Sequence, residues 1–150
     1  MNLKREPSAA GTPDWGLDFS TPARGLAVWA TLLEIGADGM RERVIRHNDC
    51  ARRVADRARA SDELELLREP VLSICCFRYR PAGEADEARL DALNEEILHA
   101  VRARGRCITS ATRVDGRFAI RPCYVNPRSG LADADALVDE VLAAGRQLAR

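Results

Sequence analysis

Cys107-Ile-Thr-Ser-Ala-Thr-Arg-Val-Asp-Gly-Arg-Phe-Ala-Ile-Arg-Pro-Cys-Tyr-Val-Asn-Pro127 sets two runs rich in β-branched and aromatic residues on either side of Asp115-Gly116. That dipeptide takes the positive φ angles of a type I′ turn at little cost, so the segment reads as a β-hairpin. With Asp115 and Gly116 as the turn residues, Val114 faces Arg117, Thr112 faces Ala119 and Ser110 faces Arg121. The period of two then gathers Phe118, Ile120 and Tyr124 on one face and sends Arg121 to the other, beside Ala119 and Cys123. An arginine among small neighbours in mid-strand is either a solvated outer-face residue or a guanidinium held out to grip a carboxylate or phosphate.

Outward from the hairpin, Leu64-Glu-Leu-Leu67 is a short strand candidate and Val71-Leu-Ser-Ile-Cys-Cys-Phe-Arg-Tyr79 a stronger one. The second is apolar on both faces, as a central strand is. Between it and the hairpin, Asp86 caps a helix to about Arg104, with Leu90, Leu93, Ile97 and Val101 inward, His99 near the edge and Gly105 as its stop. After the hairpin, Asp133 is the expected cap of a last helix with a stripe of Leu137, Val141, Ala144 and Leu148. Upstream, Thr21-Pro22 opens a first helix to about Glu34, stopped by Gly36. A second helix, from Gly39 to about Arg59, carries Met40, Val44, His47, Ala51, Val54 and Ala58 on one face. His47 reads as a partly buried, hydrogen-bonded histidine. Residues 1–14, with Pro7, Ser8, Gly11, Thr12 and Pro13, read as a flexible tail. Helices and strands in this order, with a hairpin in the sheet, predict an α+β domain: two layers, a mainly antiparallel sheet of three or four strands, and helices on one face.

The 150 residues suffice for one domain with a core. Charges balance at 23 basic and 23 acidic, so no basic excess points to nucleic acid. No apolar run reaches membrane-helix length, and the polar start lacks the apolar middle of a signal peptide, so a cytoplasmic location is expected. The five cysteines, Cys50, Cys75, Cys76, Cys107 and Cys123, are odd in number and hold no C-x-x-C pair. Buried free thiols are expected rather than disulfides, and no metal site. Lys4 is the only lysine among the 23 basic residues. No phosphate loop, dinucleotide fingerprint, nucleophile elbow or H-E-x-x-H motif is present. Pairs such as Glu95-Glu96 read as solvated helix faces.

Three segments carry a resemblance. Asp18-Phe-Ser-Thr-Pro-Ala-Arg-Gly-Leu-Ala-Val-Trp29, continued by Glu34-Ile-Gly-Ala-Asp-Gly39, resembles the segment that opens the C-terminal region of group II pyridoxal-phosphate-dependent amino-acid decarboxylases, which include the aromatic amino-acid and glutamate decarboxylases. Glu69-Pro-Val-Leu-Ser-Ile-Cys-Cys-Phe-Arg-Tyr-Arg80 is similar to their central small-domain strand, and Thr112 to Pro127 to their last hairpin. The resemblance runs from Trp15 to the end. It implies that residues 15–150 are the small domain of a fold-type-I enzyme with its linking helix, the large cofactor-binding domain being absent from these residues.

The implied activity is that of a carboxy-lyase with pyridoxal phosphate as cofactor and an amino acid as substrate. In the family the cofactor is held by a lysine, a stacking aromatic and a ring-nitrogen acid of the large domain. No catalytic or cofactor-binding residue is therefore carried over, and the chain alone is expected to be inactive. Arg121 matches a hairpin arginine that often contacts a substrate carboxylate. Ser20 matches a small residue lining the substrate pocket near the dimer interface, although Thr21-Pro22 stands where the family has two basic residues. Arg24 matches a retained arginine, open between a salt bridge and a site role, and Asn126 a recurrent asparagine that also suits a turn. A homodimer or association with a large-domain chain is implied. The alternative is a free-standing binding or self-association module that keeps the fold, with the first helix as its apolar surface; a non-functional remnant is a third reading.

Overall fold

A computed structural model describes residues 23–149; the expected tail of residues 1–14, the helix start at Thr21-Pro22 and Ser20 lie outside them. The chain divides into two compact units, Met1–Gly36 and Ala37–Arg150. Helix α1 spans Arg24–Arg59, and Gly36 within it leaves helical geometry at φ 67, ψ 178. Glycine meets that positive φ without a Cβ clash, so the expected stop is realised as a break in one assigned helix. In the first unit Leu26, Val28, Trp29, Leu32 and Leu33 are all exposed.

The second unit holds the rest of α1, β1 (Leu64–Val71), β2 (Ile74–Tyr79), α2 (Glu87–Ala103), β3 (Ser110–Val114), β4 (Arg117–Arg121) and α3 (Leu131–Leu148). The four strands pair antiparallel in the order β1-β2-β4-β3. The three helices contribute to one core on one face of the sheet, which is the expected α+β architecture. Cys50, Val54 and Ala58 of α1, Ile97 and Val101 of α2, and Leu137, Val138 and Val141 of α3 meet Cys75, Phe77, Tyr79, Phe118, Ile120 and Tyr124. Each fully buried side chain of the size of Phe77 or Ile120 contributes roughly 1.5–3 kcal/mol by leaving water.

The β3–β4 hairpin forms as its sequence dictates. Asp115 at φ 50 and Gly116 at φ 83 make the turn, and Val114 faces Arg117, Thr112 faces Ala119 and Ser110 faces Arg121. β2 is central, but it starts three residues later than the sequence suggests. Val71 ends β1 and pairs with Ile74, so Leu72 and Ser73 turn the chain, with Leu72 at φ 54. Nothing in Val-Leu-Ser-Ile advertises that turn, because it lacks the glycine, asparagine or aspartate that usually takes a left-handed conformation.

Helix ends and stripes bring smaller corrections. Asp86 caps α2 by accepting from the Ala88 N–H at 2.9 Å, as expected. α3 instead has Gly130 at its cap position, and Asp133 sits one turn in, its carboxylate accepting the Gly130 N–H at 2.9 Å. Asp133 thus serves the helix start from the third position and not as the cap residue. Val44 and Leu148 are exposed, while Cys50, one turn beyond His47, fills the place on the α1 stripe that Val44 was expected to share. Cys50, Cys75 and Cys76 are buried free thiols, Cys107 is half-buried and Cys123 is exposed, since β4 ends at Arg121 before reaching it.

Candidate functional site

The helices of the second unit pack on one side, no helix of that unit among the described residues covers the sheet's second face, and strand register orders this face into rows. Phe77 pairs with Ile120 and Ile74 with Cys123, which places Cys76 across from Arg121. Ser110 pairs with Arg121 on the outer side, and Arg68 with Cys76 on the inner. The middle row therefore reads Ser110, Arg121, Cys76, Arg68.

At one end of this face lies an ion network. The Arg78 side chain is fully buried there, donating from Nε to Glu65 at 2.8 Å and from Nη1 and Nη2 to the two Glu87 oxygens at 2.7 and 3.0 Å. Arg117 donates to the other Glu65 oxygen at 3.0 Å. Asp91 of α2 accepts the Phe118 N–H at 2.7 Å and an Arg113 N–H at 2.7 Å. Hydrogen bonds from Arg78 hold the Glu87 carboxyl below its ordinary range. Burial pushes the Asp91 carboxyl up, but the Phe118 N–H and Arg113 outweigh it and the group stays low. Every charge here has an opposite partner, so the network is structural.

Arg121 differs. It is exposed, its Nε reaches Ser110 Oγ at 3.3 Å, and it makes no ion pair among the described residues. Arg68, at the far end of the row, is bound to Asp115 at 3.1 and 3.2 Å. Between them the Cys76 thiol is pushed up by burial, against the pull of Arg121 and Arg68. Cys75, facing the core, is pushed up to about 12 by burial. Among the described residues the middle row thus presents one guanidinium without a counter-charge, which can take an anion in bidentate fashion.

The remaining residues singled out by sequence fall elsewhere. His47 is buried, with Nε2 2.9 Å from the Asn126 carbonyl oxygen, the hydrogen-bonded state expected of it. Asn126 is a turn residue whose side chain accepts the Arg128 N–H at 2.9 Å. Arg24 makes no ion pair among the described residues and is exposed. Ser20 lies outside the described residues, so no geometry joins it to Arg121. Two buried polar residues carry more of the structure than the sequence reading gave them. Arg78 could have been found by its parity with Cys76 on β2; Asn94, on the apolar stripe of α2, had no such signal.

No family model matches the chain. It is 26% identical over 121 residues to tyrosine decarboxylase 2 of Arabidopsis thaliana, covering 81% of this chain and 22% of that protein. Against tyrosine decarboxylase 4 of Petroselinum crispum it is 29% identical over 145 residues, covering 87% and 28%. The solved glutamate decarboxylase domain of the diaminobutyrate-pyruvate transaminase and L-2,4-diaminobutyrate decarboxylase from Vibrio parahaemolyticus superposes with a TM-score of 0.69 at 29% identity, over 81% of this chain and 26% of that one. The chain is thus similar to a part of the group II pyridoxal-phosphate-dependent amino-acid decarboxylases. It spans about a quarter of the length of the relatives it matches.

The described residues do not fit pyridoxal phosphate as a resident cofactor. They contain no lysine to bind its aldehyde, since Lys4 lies outside them. The surface hollow lined by Pro81, Glu84, Arg89 and Glu96 carries two carboxylates that would repel a phosphate. Among the described residues no group of His, Cys, Asp or Glu could hold a metal ion, and no helix is long and apolar enough to cross a membrane.

Proposed function

We propose that this chain supplies the small-domain share of a pyridoxal-phosphate-dependent amino-acid decarboxylase, with Arg121 as the contact for a carboxylate of the amino-acid substrate. The observation that carries the reading is the exposed guanidinium of Arg121, without an ion pair among the described residues, on the open face of a fold shared with decarboxylases. A rigid hairpin register fixes its backbone, and Ser110 Oγ holds Nε, leaving the terminal nitrogens for an anion. Ser20 belongs to the same proposal as a pocket-lining residue. The cofactor's contacts come from residues other than those described, so the chain alone releases no carbon dioxide.

The test is carbon dioxide release from carboxyl-labelled L-tyrosine, L-tryptophan and L-2,4-diaminobutyrate, with pyridoxal phosphate added. Two samples are compared: the chain alone, and the chain co-expressed with the Vibrio decarboxylase domain lacking its matched quarter. Activity confined to the completed enzyme, with kcat/KM falling at least tenfold in Arg121→Met through a rise in KM, is the expected result. Release by the chain alone, or a completed enzyme indifferent to Arg121→Met, overturns it. A second reading, a self-association module, draws on the five exposed apolar residues between Leu26 and Leu33. It requires a concentration-dependent dimer of the chain alone that Trp29→Asp abolishes.

A further inference from the structure

Arg121 is the last residue of β4 and pairs with Ser110, the first of β3, so the candidate anion contact sits at the open end of its hairpin. The end pair of a ladder frays more readily than the pairs inside it. Three constraints oppose fraying here. Pro122, which is buried, follows Arg121 and keeps its backbone extended. The Ser110 hydroxyl donates to the Arg121 carbonyl at 2.9 Å. The same oxygen accepts from Arg121 Nε at 3.3 Å. A hydroxyl has one proton to give and lone pairs to receive with, so both bonds form at once. One half-buried serine thus ties the backbone of the arginine to its head.

The other arginines of the sheet are ordered differently. Arg68, Arg78, Arg113 and Arg117 are each held by a carboxylate, which fixes the side chain and also cancels its charge. A neutral hydroxyl fixes Arg121 and leaves its charge to a ligand. With Nε engaged, the donors that remain are those of Nη1 and Nη2, a fork that meets a planar oxyanion end-on. An exposed arginine otherwise samples many rotamers, and ordering it at the moment of binding weakens the grip.

We infer that Ser110 is a positioning residue for the proposed decarboxylase: its hydroxyl fixes Arg121 so that Nη1 and Nη2 meet a carboxylate of the substrate end-on. The inference rests on the decarboxylase reading and adds to it how the carboxylate contact is held.

The test compares wild type, Ser110→Thr, Ser110→Val and Arg121→Met, with Ser110→Val also placed in the Arg121→Met background. Threonine and valine share a branched shape and differ by the hydroxyl, so effects of the branch cancel between them. In the chain completed by the Vibrio decarboxylase domain, Ser110→Val should raise KM about fivefold with kcat little changed, the scale of one lost hydrogen bond. Ser110→Thr should match wild type, and Ser110→Val should change nothing further once Arg121 is methionine. Equal KM values for Ser110→Val and Ser110→Thr overturn the inference and leave the decarboxylase reading standing. So does an equal loss with and without Arg121, the mark of a role in folding alone.

Nuclear magnetic resonance of the chain alone supplies a readout that needs no activity. The Arg121 Nε–H, assigned by its loss in Arg121→Met, should exchange slowly with water in wild type and Ser110→Thr and freely in Ser110→Val. Free exchange in wild type overturns the inference. A completed enzyme that releases no carbon dioxide overturns the decarboxylase reading, and sodium acetate then judges the brace by itself. Acetate should shift the Arg121 Nε–H at a several-fold lower concentration in wild type than in Ser110→Val; equal midpoints overturn the inference as well.

Discussion

Gly145 of α3 lies flat against the ring of Tyr79: a Cβ at Gly145 would come within 2.5–2.6 Å of three ring carbons. The ring cannot retreat freely, because Tyr79 is buried and its hydroxyl donates to Glu63 Oε1 at 3.0 Å. Overpacking of this kind costs about 1–3 kcal/mol, against about 1 kcal/mol that alanine gains over glycine inside a helix. Gly145→Ala should therefore lower the melting temperature despite its better helix propensity, and Gly145→Val should lower it further.

Asn94 should be the most costly polar residue to remove from α2. Its side chain, fully buried, accepts the Tyr79 N–H at 2.7 Å and donates to the Tyr79 carbonyl at 2.8 Å and the Leu90 carbonyl at 2.9 Å. Asn94→Leu fits the volume but leaves the Tyr79 N–H and carbonyl without those partners, at about 1–3 kcal/mol each. Urea denaturation should show a loss of roughly 3 kcal/mol with an unchanged m-value; a loss under 1 kcal/mol would contradict this account.

Arg78→Met tests the ion network. The substitution keeps most of the volume, takes from Glu87 the two hydrogen bonds of the lost guanidinium and leaves Glu65 held by Arg117. Removing one partner of a buried pair costs about 3–5 kcal/mol, and the half-exposed Glu87 can rehydrate, so the lower end is expected. Adding Glu87→Gln to Arg78→Met should recover part of the loss, measured as a double-mutant cycle.

Acid should destabilise the fold. Glu63, Glu87 and Asp135 are held below their ordinary values by hydrogen bonds from Arg146, Arg78 and Arg53, and Asp91 is held low against its burial. Carboxyls depressed in the folded state bind protons first in the unfolded chain. Their contribution is whole above the ordinary values of 4.5 for Glu and 3.8 for Asp and is lost as pH falls below them. The melting temperature should be flat from pH 7 to about 5 and fall beneath that, and Glu63→Gln should make the acid fall shallower.

What the sequence disclosed depended on whether the deciding residue was of a kind that favours the left-handed conformation a tight turn requires. Asp115-Gly116 does, and with it came the register of β3 and β4 and the outward face of Arg121. Leu72 does not, and the β1–β2 turn stayed hidden inside an apolar run. Asp133 was recognised as a helix-start residue, but its place in the first turn depends on which residue yields its backbone, a choice made by the loop through Gly130. The anion-binding potential of Arg121 was legible as an alternative; its lack of an ion pair among the described residues needed the folded neighbours, since the four other arginines of the sheet, Arg68, Arg78, Arg113 and Arg117, are all bound by carboxylates.

The sheet is joined across its middle by very little. Between β2 and β4 the ladder pairs Phe77 with Ile120, adds the bridge from Ile74 to Cys123 and the Tyr124 N–H to Ser73 carbonyl bond of 3.0 Å at one end, and parts at the other where Asp91 takes the Phe118 N–H. Each outer hairpin closes on itself through neighbours in sequence, so each can zip without waiting for the other. The seam is a perforation: pulled apart, the domain should tear there first, and amides on either side of it should exchange before those inside the hairpins.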